Sequence, residues 1–220
     1  MRIAHRIVLT VALATLTGFS AMAEDDETPA RRSGKELDAY RAEFIENFDW
    51  IQLNSTPGDA MMLRILVESS NAQRGVEVGT ATGYGAIVMG LGFERNGGKL
   101  TTVDIDPDMV VKARENLAAV QLEETVNVVE GDALEVLPKI EGEIDFVYID
   151  ALKKDYMKYF KALEDNLVPG AVVVADNVIR SAGAMQDFLE YVAESEDYLS
   201  VTIRASDMKN DGMLVIHKLR

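Results

Sequence analysis

Glu77-Val-Gly-Thr-Ala-Thr-Gly-Tyr-Gly85 closes an apolar, β-branched run and opens a helix, so it marks a junction between a strand and a helix. Glycines at positions 79, 83 and 85 permit tight backbone turns and let a ligand approach the main chain closely. Their spacing, GxxxGxG, differs from the GxGxxG fingerprint of dinucleotide-binding loops. The loop therefore favours a ligand without a pyrophosphate and argues against a nicotinamide-dependent oxidoreductase.

Strand-like and helix-like segments alternate on both sides of this loop. Predicted strands lie at 75–79, 100–104, 126–130, 144–149, 171–175, 199–204 and 213–218, and predicted helices begin near 37, 58, 84, 107, 132, 155 and 184. This alternation predicts βαβ units, a mostly parallel sheet and helices on both faces. The last two strands flank a polar turn containing Asn210-Asp-Gly212, which predicts an antiparallel C-terminal edge hairpin. We therefore predict an α/β fold.

Two short runs, Asp150-Ala-Leu-Lys153 and Asp176-Asn177, each follow an apolar strand-like segment. Ligands of open α/β sheets bind at the carboxyl ends of the strands, so these polar side chains are candidates for one shared site. Two carboxylates and an amide carbonyl suit a hard divalent cation such as Mg2+. The alternative is that they are ordinary turn or helix-cap residues.

Asp104 ends the second predicted strand, 25 residues after Gly79. An acidic residue at this place can accept hydrogen bonds from both hydroxyls of a ribose. The alternative is that it caps the next helix, although Asp106-Pro107 makes the better helix start. The strand end and the glycine loop together indicate a nucleoside-binding site.

Composition limits the possible partners. The 220 residues suffice for one α/β domain, and the formal net charge is −15. We do not expect a nucleic acid to be a partner, because no stretch of the chain is rich in Lys or Arg. There is no Cys, so neither disulfides nor thiol chemistry contribute.

The first 23 residues have the pattern of a secretory signal peptide. Arg2 and Arg6 precede an apolar stretch at 7–20, and Ala21-Met-Ala23 forms a small-x-small cleavage site. We predict an exported protein, periplasmic or secreted, with no stable membrane anchor after cleavage; it is cytoplasmic if the signal is not used. An uncleaved anchor is the alternative. Residues 24–35 are interpreted as a flexible tether and 36–220 as the catalytic domain.

Five motifs occur in order: Glu-x-Gly-Thr-Ala-x-Gly-Tyr from residue 77, Val-Asp-Ile-Asp-Pro from 103, Gly-Asp-Ala-Leu from 131, Ile-Asp-Ala-Leu-Lys from 149, and Ala-Asp-Asn-Val-Ile from 175. Together they resemble the cation-dependent O-methyltransferases of the catechol and caffeoyl-CoA type, over residues 36–220. The resemblance implies a Rossmann-like, seven-stranded methyltransferase sheet. It also implies S-adenosylmethionine as the methyl donor and Mg2+ or another divalent cation.

The resemblance also implies a role for each matching residue. Asp150, Asp176 and Asn177 would bind the metal, with Asp150 also near the donor, and Lys153 would be the general base. Ser55, Glu77, Gly79 and Thr80 would line the methionine and ribose part of the donor, Asp104 the ribose hydroxyls, and Ala133 the adenine. Gly85 would also lie at the donor, at a place where many relatives carry Ser.

The connection after Asn177 bears on the identity of the acceptor. The connection at 178–185 is short and rich in small residues, which favours a small catechol-like or phenolic acceptor. Trp50, Tyr84, Tyr156 and Met185 are candidates for an aromatic pocket wall. A homodimer is left open, and the competing hypothesis is a non-catalytic nucleoside-binding or scaffold protein. Export would favour this non-catalytic alternative, because S-adenosylmethionine is made in the cytosol.

Overall fold

The computed structural model describes residues 31–220. The predicted signal peptide and the first seven residues of the predicted tether, 24–30, lie outside the described residues. Within the described part, the first helix begins at Gly34.

One sheet organises the molecule and confirms the predicted α/β class. Seven strands stand in the order β3-β2-β1-β4-β5-β7-β6. The strands β1 to β5 pair in parallel, and β7 pairs antiparallel with both β5 and β6. The strands are β1 Arg74–Val78, β2 Lys99–Asp104, β3 Val126–Glu130, β4 Ile144–Ile149, β5 Leu167–Ala175, β6 Tyr198–Ile203 and β7 Met213–Lys218.

Seven α-helices surround the sheet in the described part of the chain. They are α1 Gly34–Glu46, α2 Pro57–Ser69, α3 Tyr84–Asn96, α4 Pro107–Ala119, α5 Ala133–Val136, α6 Tyr156–Glu164 and α7 Gln186–Glu194. Short 3-10 turns at Leu137–Lys139, Lys153–Asp155 and Ala182–Ala184 complete the connections. Within the described residues, no helix is both long enough and apolar enough to span a bilayer.

Local sequence explains where the site-forming helices begin. Asp106 accepts from the backbone N–H of Asp108 and Met109, and Pro107 follows in the first turn of α4. Asp106 is therefore the cap of α4, as predicted. Thr56 caps α2 in the same way, ahead of Pro57.

The sheet has an apolar layer on each face. Alternate residues of β4 point to opposite sides, so Val147 and Ile149 belong to one layer, with α6 and α7. Phe146 and Tyr148 belong to the other layer, with α2, α3 and α4. The register places Glu77 of β1 beside Tyr148 of β4 on this second face. Two polar side chains thus stand at the end of an otherwise apolar layer.

Candidate active site

A cavity of about 610 Å³ opens at the carboxyl ends of β1, β2 and β4. Of the predicted donor-site residues, Gly79, Asp104, Ala133 and Asp150 line it. Lys153 and Asn177 line it as well. The structure therefore brings the nucleoside end and the acidic end of the predicted site to one cavity.

The glycine loop requires its first glycine for two reasons. Gly79 has a φ of +101°, which side-chain-bearing residues rarely adopt. A Cβ atom at Gly79 would also overlap the backbone carbonyl oxygen of Asp150. The loop after β1 and the loop after β4 can therefore approach this closely only with glycine at position 79.

Asp104 is held at the cavity wall by main-chain donors. Its Oδ2 accepts from the backbone N–H of Ala81 at 2.8 Å, and its Oδ1 accepts from that of Asp106 at 3.0 Å. Each carboxylate oxygen keeps a further lone pair. Asp104 can thus accept hydrogen bonds from two hydroxyls in a fixed orientation.

Glu77 lies behind the cavity wall with one oxygen, Oε2, that has no hydrogen-bond partner in the described structure. Its side chain is almost completely buried. Burial raises the pKa of Glu77 to about 8; a hydrogen bond from Thr102 opposes the rise, and Asp150 and Asp104 add to it. A buried polar atom without a partner indicates a missing ligand or water.

Two further predicted donor residues, Ser55 and Gly85, lie close to Glu77. A Cβ atom at Gly85 would stand 3.0 Å from Glu77 Oε1 and 3.2 Å from Ser55 Oγ. The absence of a side chain at position 85 therefore leaves room beside the Glu77 carboxyl. The Thr80 hydroxyl lies 2.5 Å from the hydroxyl of Thr102, which also hydrogen-bonds Glu77.

The hydroxyl of Tyr148 connects this region with the acidic end of the site. It lies 3.1 Å from Ser55 Oγ and 3.4 Å from both Asp150 Oδ2 and Asp176 Oδ2, so its single hydrogen can be donated to either carboxylate. The ring is fully buried, and burial raises the pKa of Tyr148 well above its ordinary value. The hydroxyl is therefore a neutral donor at which two carboxylates converge.

Asp176 and Asn177 follow β5 in a constrained turn. Asp176 Oδ1 accepts from the backbone N–H of Asn177 at 2.7 Å, and Asn177 has a φ of +59°. Burial raises the pKa of Asp176 to about 7; the nearby Asp150 also raises it, and the hydrogen bond from Asn177 lowers it. Two adjacent carboxylates and an amide form a set of oxygen ligands that suits a hard divalent cation. No group of three or more His, Cys, Asp or Glu residues suited to a metal occurs among the described residues.

Lys153 forms an ion pair with Asp150, with 2.6 Å between Nζ and Oδ1. The Lys153 side chain is 24% exposed and that of Asp150 11%, so the pair faces the cavity. Its neighbour Lys154 is exposed to solvent. The 3-10 turn that begins at Lys153 fixes this orientation.

A second cavity, of about 690 Å³, adjoins the first. The two share Gln52, Asn177 and Lys209. Its other lining residues are Trp50, Arg180, Ser181, Met208 and Asp211.

Sequence reasoning found only part of this second cavity. Of the four residues predicted as an aromatic wall, Trp50 lines it, whereas Tyr84, Tyr156 and Met185 are buried in the core. Lys209 and Arg180 carried no recognisable sequence signal. Both belong to connections that follow sheet strands, and charged residues in such connections would have been the only clue.

Comparison with known proteins gives a consistent result. A family model for O-methyltransferases matches residues 26–212. Catechol O-methyltransferase from Niastella koreensis is 31% identical over 139 residues, which is 61% of this chain and 62% of that protein. Catechol O-methyltransferase from Mycobacterium tuberculosis is 34% identical over 143 residues, or 64% and 61% of the two chains. The chain thus spans about three fifths of the length of these relatives.

A solved structure supports the same assignment. The O-methyltransferase TomG from Streptomyces achromogenes, involved in tomaymycin synthesis and solved in complex with SAM, superposes with a TM-score of 0.71 and 25% identity. The match covers 86% of this chain and 92% of TomG. Because the family model covers most of its length, this chain belongs to the O-methyltransferase family.

Proposed function

We propose that this protein is a divalent-cation-dependent O-methyltransferase that moves the methyl group of S-adenosylmethionine to a hydroxyl of a small catechol-like or phenolic acceptor. The observation that carries the proposal is the convergence of Asp150 and Asp176 on one Tyr148 hydroxyl. Asp150 and Asn177 line the same cavity as Gly79 and Asp104. A donor and an acceptor bound there would be adjacent.

The donor-binding residues fit a nucleoside with a cationic tail. We assign the ribose hydroxyls to Asp104 and the adenine to Ala133, both at the cavity wall. Gly79 permits close approach of the main chain. Glu77, with Ser55 nearby, offers an acceptor oxygen without a partner to the ammonium of the methionine portion. Such a contact would satisfy the buried oxygen.

The metal-binding set is Asp150, Asp176 and Asn177. A divalent cation there would lower the pKa of the acceptor hydroxyl and orient its oxygen. The protein contributes a fixed arrangement of ligands, because the Tyr148 hydroxyl and the Asn177 backbone N–H hold the two carboxylates. The cation dependence is supported by this donor set and by the resemblance of the motifs.

Methyl transfer needs positioning and one proton acceptor. The acceptor oxygen forms a bond to the methyl carbon while the carbon–sulfur bond breaks and its electrons remain on sulfur. We assign Lys153, which lies beside Asp150, as the residue that accepts the hydroxyl proton while the oxygen–carbon bond forms. No protein nucleophile is required, because most of the rate enhancement comes from holding the two substrates in line.

The second candidate is a non-catalytic nucleoside-binding protein. The ion pair between Lys153 and Asp150 favours it, since it satisfies the carboxylate without a cation. In the first candidate Asp150 is a metal ligand that turnover requires; in the second there is no turnover, and Asp150 only pairs with Lys153. A homodimer stays a prediction for either candidate.

The decisive experiment measures methyl transfer from labelled S-adenosylmethionine to a panel of catechols, with Mg2+ or with EDTA. We expect EDTA to abolish turnover. Asp150→Ala should lower it by about 100-fold or more, because a metal ligand is lost, while donor affinity by calorimetry changes little. Asp38→Ala, at an exposed position on α1, serves as the control.

Two outcomes would reject the main proposal. Full activity of Asp150→Ala would reject the metal assignment. Donor binding without turnover of any catechol, in the wild-type protein with Mg2+, would favour the non-catalytic alternative.

A further inference from the structure

The second cavity is the space available to the acceptor, an assignment that rests on the proposed function. Asn177, assigned above to the metal, forms part of both cavities. A molecule in the second cavity can therefore present a hydroxyl at the metal end and extend away from the donor. The side chains at the far end then determine which acceptors fit.

Two basic side chains face this cavity without a carboxylate partner. Lys209 Nζ donates to the backbone carbonyl of Asn54 at 2.7 Å, and Arg180 Nη1 donates to the carbonyl of Lys209 at 3.4 Å. Within the described residues neither forms an ion pair. Both thus retain donor hydrogens toward the cavity.

The acidic groups around these two side chains are already engaged. Asp211 Oδ1 accepts from the backbone N–H groups of Ile179, Arg180 and Gly212. Asp59, which is buried near Lys209, accepts from Thr56 Oγ1 at 2.6 Å. The acids therefore hold loops and a helix cap, and neither makes an ion pair with Lys209 or Arg180.

Lys209 and Arg180 place two basic side chains in a cavity that is lined by one carboxylate, that of Asp211. A single carboxylate does not balance two cations, and a bound anion would offset the repulsion that remains between them. Trp50 adds an apolar wall to the same cavity, with its ring centroid 5.6 Å from Lys209 Nζ.

We propose that the acceptor is a catechol that carries a carboxylate. Its two hydroxyls lie at the Asn177 end, its ring packs against Trp50, and its carboxylate binds Lys209 and Arg180. Arginine and lysine form charge-assisted hydrogen bonds to carboxylates that are stronger than bonds between neutral groups. The cavity, at about 690 Å³, falls within the range of small-molecule sites.

The test compares two acceptors of nearly equal shape, 3,4-dihydroxybenzoate and its neutral amide. Binding of each to the full protein is measured by calorimetry in the presence of Mg2+ and S-adenosylhomocysteine. We expect the acid to bind about tenfold more tightly than the amide. Lys209→Met and Arg180→Met should each reduce that preference to about twofold or less.

Two control variants separate charge from folding. Lys139→Met removes an exposed lysine of the Leu137–Lys139 turn and should leave the preference intact. Lys209→Arg keeps the positive charge and should restore it. A wild-type protein that binds acid and amide equally, or binds neither, would overturn the proposal, as would an undiminished preference in both Met variants.

Turnover measured on the same pair separates this proposal from the proposed function. Equal kcat/KM for acid and amide would leave methyl transfer standing and overturn the anion site. A preference for the acid in binding that depends on Lys209, without methylation of either compound, would support the anion site and count against methyl transfer.

Discussion

Tyr148 is the residue that connects the proposed donor side of the site with its proposed metal side. Its hydroxyl contacts Ser55 and both candidate carboxylates from a fully buried ring. A hydroxyl that orients metal ligands contributes to affinity without touching the metal. Tyr148 is therefore a positioning residue in the proposed site.

Removing that hydroxyl should weaken cation binding more than donor binding. In Tyr148→Phe both carboxylates lose a shared donor, so we expect Mg2+ affinity to fall by about tenfold. Donor affinity, measured by calorimetry on the same samples, should change by less than about threefold.

The control for this variant is Tyr198→Phe. Tyr198 lies on β6, away from the site, and its partly buried hydroxyl donates to Glu164 at 2.8 Å. This substitution should lower stability and leave cation affinity unchanged. An unaltered Mg2+ affinity in Tyr148→Phe would refute the positioning role.

Glu77 makes the stability of the donor-free protein depend on pH. Burial raises its pKa to about 8, whereas the ordinary value is 4.5. Between these values the folded state retains a proton that the unfolded state has released, so stability falls as pH rises, by at most about 1.4 kcal/mol per pH unit. Below pH 4.5 Glu77 contributes no such penalty.

Glu77→Gln should remove this dependence. We expect the stability of the Gln variant relative to wild type to increase steadily between pH 5 and pH 8, as measured by urea unfolding without donor and with EDTA. Glu46→Gln, at an exposed position on α1, should give a constant difference. A constant difference for Glu77→Gln as well would show that Glu77 ionises normally.

At the scale of elements, the site depends on the close approach of two loops at the ends of β1 and β4. Gly79→Ala should be severely destabilising, because it combines an unfavourable φ with overlap on the Asp150 carbonyl. Gly97→Ala is the matched control: its φ is +77°, and no heavy atom lies within 4 Å of the added Cβ.

Both glycines have a positive φ, and only Gly79→Ala adds the overlap. We expect Gly97→Ala to cost about 1 kcal/mol from backbone strain alone. Gly79→Ala should cost at least about 3 kcal/mol, or prevent folding, in thermal or urea unfolding. Equal losses would mean that the loops separate without cost.

Local signals explain which elements could be predicted from sequence. Alternation and turn residues located the strands, and Asp106-Pro107 located the start of α4, because both depend on neighbours along the chain. The start of β5 lies four residues earlier than predicted. Its first residue, Leu167, pairs with Ile144 across a register shift that only the assembled sheet reveals.

The same distinction between local signals and the assembled sheet applies to the residues of the site. Asp104, Asp150 and Asp176 were predictable because strand ends converge at one edge of a parallel sheet. The second cavity was not, because Lys209 binds the carbonyl of Asn54 from 155 residues away in sequence. The Tyr148 contacts likewise depend on the sheet register rather than on any local pattern.

At the scale of the whole molecule, the proposed export would change the net charge of the protein. We propose that residues 1–23 direct export and are then removed. Removal of residues 1–23 takes away Arg2 and Arg6 but no acidic residue, so the formal net charge changes from −15 to −17. The new N-terminus is then Glu24-Asp-Asp-Glu27. An acidic chain without Cys needs no oxidising compartment to fold, so export would serve the location of the reaction rather than its stability.

Intact-mass spectrometry of the protein from a periplasmic fraction tests this proposal. We expect a mass that begins at Glu24, and we expect Ala23→Leu to block cleavage, since the site requires a small residue there. Protein that begins at Met1 and stays in the cytoplasm would contradict export. The same result would place the enzyme beside the cytosolic supply of S-adenosylmethionine, whereas a processed periplasmic form requires that the donor reach it there.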